Sequence, residues 1–332
     1  MQAAFYESYG SARDVLKIGY LPNPTPQPGE VLVRIHFSGI NPSDCKRRQG
    51  LRDRPGYSLI IPHNDGAGII TDIGEGVDKK RVGQRVWIWS GQRRRPFGTA
   101  AEYISIASSN AVQLPDSVSL EQGACLGVPA MTAYASLFGD GELSGLRVLV
   151  TGGAGAVGHY AIQFAKLAGA SQVMTTVSGP EKAEHALKAH PDVIINYRTE
   201  DVACRVLELT EQHGVDRISE VDFGVNHATT VKIMANNASI GAYGSAGEEE
   251  PRIPVLPFIF KDANIRFIQC SLMPKTLREQ GTQRITRWCE ENRLLHAVGR
   301  IYPLKDIVSA QEAVEAGSVI GNVLLAIQHH GQ

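Results

Sequence analysis

The sequence predicts an α/β protein in two parts, a set of short strands followed by a doubly wound parallel sheet. Three observations point there. Short strands with Gly and Pro turns fill the chain before Leu120, strands alternate with helices from Arg147, and a glycine-rich turn joins the first strand and helix of that second series. The length of 332 residues is ample for two buried cores.

In the first part, Val31 to Phe37 alternates apolar and polar residues after a Pro28-Gly29 turn. Ala67 to Ile73 follows and ends on Gly74-Glu75-Gly76, and Gln84 to Trp89 and Ala101 to Ile106 complete the set. Closely spaced short strands suit a small barrel or sandwich. Glu121 to Phe138 reads as helix, with Pro129 expected to kink or interrupt it. The second part opens on the buried strand Val148 to Val150 and the helix His159 to Leu167. Strand Val173 to Val177, a helix from Glu181, strand Val193 to Ile195, a helix from Val202 and a strand around Ile218 then give βαβ units. Ile265 to Ile268, a helix over Leu277 to Leu295 and a last strand Val323 to Ile327 finish the chain.

Composition narrows the function. Hydrophobic residues are 43% and charged residues 20% of the chain, too apolar for disorder, and a net charge of −1 gives no field to gather nucleic acid or an anionic membrane. No run approaches the roughly 18 apolar residues of a membrane span, and MQAAFYESYG lacks the pattern of a signal peptide, so a cytoplasmic protein is expected. The five cysteines are scattered without a C-x-x-C pair, which favours buried thiols over disulfides or a zinc knuckle.

The sharpest motif is Gly153-x-Gly155-x-x-Gly158, between the strand Val148 to Val150 and the helix after it. Gly153 is expected to permit the tight turn, Gly155 the approach of a pyrophosphate, and Gly158 the packing of helix on strand. The helix N-terminus adds free N–H groups and a positive dipole end, so Ala154, Gly155, Ala156, Val157 and Gly158 are expected to cradle a dinucleotide. An NAD site needs an acid at the end of the second strand. Here Ser178 stands at that tip with Lys182 one turn on, a pair suited to a 2′-phosphate, and Glu181 is expected to face solvent. NADPH is the expected cofactor.

These motifs carry a family likeness. Gly39-Ile-Asn-Pro-Ser-Asp44, Pro62-His-Asn-Asp-Gly-Ala-Gly68, Gly98-Thr-Ala-Ala-Glu-Tyr103, Gly127-Val-Pro-Ala-Met-Thr-Ala-Tyr134, the glycine loop and Gly321-Asn-Val-Leu-Leu325 follow one another along nearly the whole chain. Together they resemble the zeta-crystallin-like quinone oxidoreductases, the zinc-free branch of the medium-chain dehydrogenases/reductases. The resemblance implies a GroES-like β-barrel catalytic domain over 1–120 and 266–332, a Rossmann NADPH-binding domain over 121–265, and a cleft between them. It places Asn41 and Thr132 beside the nicotinamide, and Ser178, Lys182 and Tyr197 around the adenosine phosphate. Asn226, Tyr243, Gly244, Ser245, Ala246, Ile268, Gln269 and Cys270 match further cofactor contacts, and Asn322 matches a polar residue near the cofactor. Gly317 stands where some members carry an arginine, which leaves Lys182 and Tyr197 to recognise the phosphate.

The zinc enzymes of the superfamily would have Cys, His and Cys where this chain has Asn41, Asn64 and Val128, so no metal is expected. Lys46 and Arg52 replace tyrosines common in the resembled family, within the basic run Lys46 to Arg54, and Arg93 to Arg95 form a second cluster. These cations read either as a solvated surface screened by Asp53 and other acids, or as a cationic mouth that favours anionic acceptors. Asn41, Lys46, Arg52 and Thr132 are the candidate catalytic residues, the first three as donors to a developing oxyanion. The activity implied is NADPH:quinone reduction by hydride transfer, with 2-alkenal or enone reduction as the alternative. A non-catalytic crystallin-like or AU-rich RNA-binding role is disfavoured, since neither arginine cluster interleaves aromatics before Tyr57 and Phe97. Ile265 to Gln269 reads as a sheet edge, and pairing of two such edges implies a homodimer.

Overall fold

The structure, a computed structural model, describes all residues except 53, 55 and 330–332. The chain divides into two compact units, Met1–Val128 with Thr282–Gln332, and Pro129–Gly281.

In the first unit, β1 (Gln2–Phe5) and β2 (Lys17–Tyr20) form an antiparallel pair. The main sheet uses β3 (Glu30–Ile40), β4 (Asp65–Ile73), β5 (Arg85–Ile88), β6 (Tyr103–Ala107) and β7 (Ala111–Gln113). The long β3 organises it: β4 runs along one edge, while β6 pairs with Glu30 to Arg34 and the C-terminal part of the chain pairs with Phe37 to Ile40 on the other. Alternation along β3 turns Val31, Val33 and Ile35 inward, each at 0% exposure, onto Ile70, Val86, Ile88 and Ile104. Burial of each such side chain contributes about 1.5–3 kcal/mol.

The second unit holds β8 (Arg147–Val150), β9 (Gln172–Val177), β10 (Val193–Asn196), β11 (Val215–Glu220), β12 (Met234–Ala242) and β13 (Asn264–Phe267). They form one parallel sheet in the order β10-β9-β8-β11-β12-β13. This is the Rossmann order, and the direction of winding reverses between β8 and β11, where such sheets bind ligands at their carboxyl ends. The chain then returns to the first unit with β14 (Val298–Pro303) and β15 (Asn322–Ala326), the latter antiparallel to β3.

Several expectations shift. The helix read over Glu121 to Phe138 is two, Leu120–Gly123 and Gly127–Phe138, and Pro129 lies in the first turn of the second. A proline there costs no hydrogen bond, so it does not kink the helix. The helix read over Leu277 to Leu295 is Lys275–Glu290. Asn292, at φ 53°, adopts the left-handed turn beyond its C-terminus. The compact units divide at 128/129 and 281/282, against the 120/121 and 265/266 implied by the family likeness. Leu120–Gly123 packs on β3, β4 and β5, and β13 is hydrogen-bonded to β12, so each boundary moves toward the C-terminus. Cys204 is exposed, whereas Cys45, Cys125, Cys270 and Cys289 are buried as expected.

Candidate functional site

The glycine loop lies at the switch point. Gly152 N–H donates to Thr176 Oγ1 (3.1 Å) and Gly153 N–H to the Thr176 carbonyl (3.0 Å), which ties the loop to the end of β9. The left-handed residue is Gly152, at φ 71°, not Gly153. Gly153 is needed for a different reason: a Cβ there would meet Thr175 Oγ1 at 2.1 Å. A Cβ on Gly158 would meet the Gly152 carbonyl oxygen at 2.3 Å, so the third glycine lets the helix Ala156–Leu167 seat against the loop. Gly155 differs from both, being exposed, with its nearest prospective contact at 3.3 Å. It is the open side of a cradle at a helix N-terminus, and it fits a pyrophosphate.

The residues expected around the cofactor collect on the same carboxyl edge. Ser178 follows β9 and Tyr197 follows β10, and the Tyr197 N–H donates to the Val177 carbonyl (3.1 Å). Lys182 is exposed in the first turn of the helix Pro180–Leu187, and Glu181 beside it also faces solvent. Tyr243 to Ala246 follow β12, with the Tyr243 N–H on the Glu220 carbonyl (3.0 Å), and Ser245 Oγ accepts from Gly224 N–H (3.1 Å). Ile268 to Cys270 follow β13, and the Ile268 N–H donates to the Ala242 carbonyl (2.8 Å). Thr132 is buried on the helix Gly127–Phe138. Asn322 belongs to the other unit, where its amide donates to the Ala297 carbonyl (3.0 Å).

Sequence reasoning missed the acid at the centre of this edge. Glu220, fully buried at the end of β11, accepts from Thr151 Oγ1 at the end of β8 (3.0 Å), from Asn226 Nδ2 (2.8 Å) and from the Asp222 N–H (2.7 Å). It bridges the switch point and fixes the Asn226 amide. Burial raises its pKa, while those donors pull it back. An acid closing the run Val215 to Glu220 is the signal that marks it in the sequence.

In the first unit, Asn41 precedes the helix Pro42–Gln49 and is buried. Its Nδ2 donates to Asp65 Oδ2 (2.7 Å) and more weakly to Asp44 Oδ2 (3.4 Å), and its N–H to Asp44 Oδ2 (2.9 Å). Asp44 also accepts from Asn64 Nδ2 (2.8 Å), and Asp65 accepts from the Val128 N–H (2.8 Å). Burial pushes Asp44 up to about 6, against the donors Asn41 and Asn64, and burial with the nearby Asp44 charge raises Asp65. The Asn41 donors thus face carboxylates, and a donor role toward an acceptor's oxygen requires the Asp65 bond to break.

Comparison with known proteins agrees with this architecture. The alcohol dehydrogenase GroES-like domain matches residues 27–116 and the zinc-binding dehydrogenase family matches residues 156–286. The human quinone oxidoreductase is 27% identical over 308 residues, 92% of this chain and 91% of its own. The solved structure of an NAD-dependent alcohol dehydrogenase superposes with a TM-score of 0.88 at 26% identity, over 99% of this chain and all of the other. A mycobacterial protein complexed with NADPH superposes with a TM-score of 0.86 at 26% identity, over 98% of this chain and all of the other. The chain belongs to the medium-chain dehydrogenase/reductase superfamily.

The family likeness matches the three catalytic zinc-ligand positions of that superfamily to Asn41, Asn64 and Val128. Two amides and an aliphatic side chain supply neither thiolate nor imidazole, and both amides point their donors at Asp44 and Asp65. This set does not fit zinc. Among the described residues no group of three or more His, Cys, Asp or Glu is arranged to hold a metal ion. The neighbouring His63 is committed elsewhere. Arg48 Nε donates to Gln311 Oε1 (2.7 Å), which leaves Gln311 Nε2 to donate to His63 Nε2 (3.0 Å). His63 Nδ1–H then faces Ser38 Oγ (3.0 Å), so this reductase holds His63 as one neutral tautomer.

The basic run of this family member separates into inward and outward cations. The Arg48 side chain is 0% exposed and paired with Glu315, Arg47 donates to the Gln92 carbonyl (3.0 Å), and Arg54 donates to the Gly50 carbonyl (2.9 Å). Lys46 is half-buried on its helix and Arg52 is exposed beyond it; Asp53, expected to screen them, lies outside the described residues. Gly317, at φ 59°, ends the helix Ile307–Glu315, a left-handed position that disfavours the arginine of some relatives.

Proposed function

We propose that this protein transfers a hydride from NADPH to a quinone without a metal ion. The observation that carries the reading is the set Asn41, Asn64 and Val128 at the metal positions, tied to buried carboxylates, in a chain that keeps the full dinucleotide loop. The bound cofactor supplies the hydride from its nicotinamide. The loop Ala154 to Gly158 and the N-terminus of its helix hold the pyrophosphate, while Ser178, Lys182 and Tyr197 take the 2′-phosphate. Thr132 is assigned to the nicotinamide, and Asn226, Tyr243 to Ala246 and Ile268 to Cys270 to the further cofactor contacts, while Asn41 and Asn322 keep the roles that the family likeness gives them.

The test is NADPH oxidation against a panel of quinones, 2-alkenals and alcohols. Quinone turnover with no alcohol oxidation supports the reading, a preference for alkenals replaces it with enone reduction, and zinc-dependent alcohol turnover defeats it. Lys182→Ala should remove most of a tenfold or greater preference for NADPH over NADH, since tenfold is about 1.4 kcal/mol and a charge-assisted contact contributes about 1.5–3 kcal/mol.

The protein also acts, in this proposal, as a cytoplasmic homodimer. β13 is an edge strand, and Phe267 on it is 68% exposed, as are Val255, Leu256, Ile259 and Phe260 nearby in sequence at 60–80%. An unpaired edge with exposed apolar residues favours pairing with a second copy. Light scattering should give about twice 35.9 kDa, and a single-chain mass at micromolar concentration defeats the dimer.

A further inference from the structure

Away from the residues assigned to the cofactor and the acceptor, the first unit carries a partly open cavity of about 580 Å³, within the 300–1,000 Å³ typical of small-molecule sites. The segment joining β2 to β3, the stretch before Ile61, the loop of the second arginine cluster and the start of β6 form its walls. Asn41, Lys46, Arg52 and Asn64 are not on its lining. The walls are largely apolar, with Leu21, Leu59, Ile61, Phe97 and Ile104 prominent.

Arg95 is the charged side chain of the lining, and it belongs to the second basic cluster, which the sequence reads either as a solvated surface or as a cationic mouth. Its side chain is only 24% exposed, and one Nη donates to the Ser105 carbonyl. The other Nη makes a long ion pair with Glu30 Oε1 at 3.8 Å, beyond hydrogen-bond reach, and the buried Nε has no partner among the described residues. Glu30 Oε2 is meanwhile held by Ser105 Oγ (2.5 Å). A guanidinium carries five donors and stays charged when buried, so Arg95, held by one carbonyl and a long ion pair, keeps Nη hydrogens without a hydrogen bond beside an apolar space. The complementary ligand has a planar anion at one end and an apolar body.

We propose that this cavity binds an amphiphilic monocarboxylate, with its carboxylate on Arg95 and its chain or ring against Leu59, Ile61, Phe97 and Ile104. The site is independent of the reductase reading, because none of the residues assigned to the cofactor or the acceptor lines it.

Calorimetric titration of the full chain with octanoate and with 1-octanol tests it. The expected result is one octanoate per chain, bound at least tenfold tighter than the alcohol and unchanged within twofold by saturating NADPH. Arg95→Gln should bind acid and alcohol alike, and Leu59→Trp, which fills the cavity, should bind neither. If Arg95→Gln fails to fold, the acid-to-alcohol ratio in the unmutated protein and the filled variant still decide. Absence of octanoate binding at millimolar concentration, equal affinity for acid and alcohol, undiminished binding by Leu59→Trp, or displacement by NADPH or a quinone would each overturn the proposal.

Discussion

Asn41 Nδ2 donates to Asp65 across 2.7 Å, and the same carboxylate accepts the backbone N–H of Val128. Two of the positions that the family likeness matches to zinc ligands are therefore joined by an acid. A Cβ on Gly127 would meet Asp65 Oδ1 at 2.1 Å, so the carboxylate is seated directly against the start of the helix Gly127–Phe138. The dipole of that end favours a negative charge there.

Asp65→Ala should therefore destabilise the fold, because it strands the Asn41 amide and the Val128 N–H in a buried site at about 1–3 kcal/mol each. Asp65→Asn, which keeps one acceptor, should cost less. Urea denaturation midpoints of the two variants check the order, and equal midpoints would refute it.

His63 predicts an acid-limb effect. Burial pushes its pKa down to about 3, whereas the unfolded chain titrates near 6.5. The folded state thus requires neutral His63, and its contribution is fully present above pH 6.5 and lost as pH falls toward 3. Asp44, raised to about 6, acts oppositely, since the fold takes its proton first as pH drops through 6. Comparing the protein with His63→Asn isolates the histidine, and asparagine tolerates the left-handed φ of 79° found there. The stability gap between the two should change by about 2 kcal/mol in favour of His63→Asn between pH 7 and pH 5. A gap independent of pH would show that the ring is free to protonate.

The glycines of the phosphate loop should separate folding from binding. Gly155→Ala places a Cβ on the open side, so the melting temperature should stay within about 2 °C while NADPH affinity falls at least tenfold. Gly158→Ala drives a Cβ into the Gly152 backbone and should lower both. Thermal melts with and without NADPH, followed by fluorescence titration, distinguish the two outcomes. An unaltered NADPH affinity in Gly155→Ala would remove this loop from the cofactor site.

Lys46 and Arg52 carry a prediction about the acceptor. Neither has a hydrogen-bond or ion-pair partner among the described residues, unlike Arg47, Arg48 and Arg54. If both face the acceptor, a sulfonated or carboxylated quinone should show a higher kcat/KM than its neutral parent. Added salt should shrink that advantage, since screening acts over about 8–10 Å near physiological ionic strength. The double variant Lys46→Tyr with Arg52→Tyr should reverse the ranking. Identical rankings in parent and variant would reduce the two cations to a solvated surface.

The sequence by itself determined the elements whose pattern is local. Alternation exposed β3, short runs between Gly and Pro turns exposed β4 and β5, and the strand–glycine–helix succession from Val148 to Leu167 marked the phosphate loop, because period and turn chemistry are properties of neighbouring residues. Ser178 and Tyr197 were named as site residues, but only the pairing of β9 with β10 sets them at one edge. The helix Pro42–Gln49 was hidden within a basic run, since it buries Arg48 against Glu315, a partner far along the chain. Tertiary structure alone decided the roles of Asp44, Asp65 and Glu220. An acid reads as solvated surface until long-range contacts bury it among donors, and Asn41–Asp65, Asn64–Asp44 and Thr151–Glu220 join residues 24, 20 and 69 positions apart. Which side chain satisfies a buried charge is a property of the packed fold, and no local pattern encodes it.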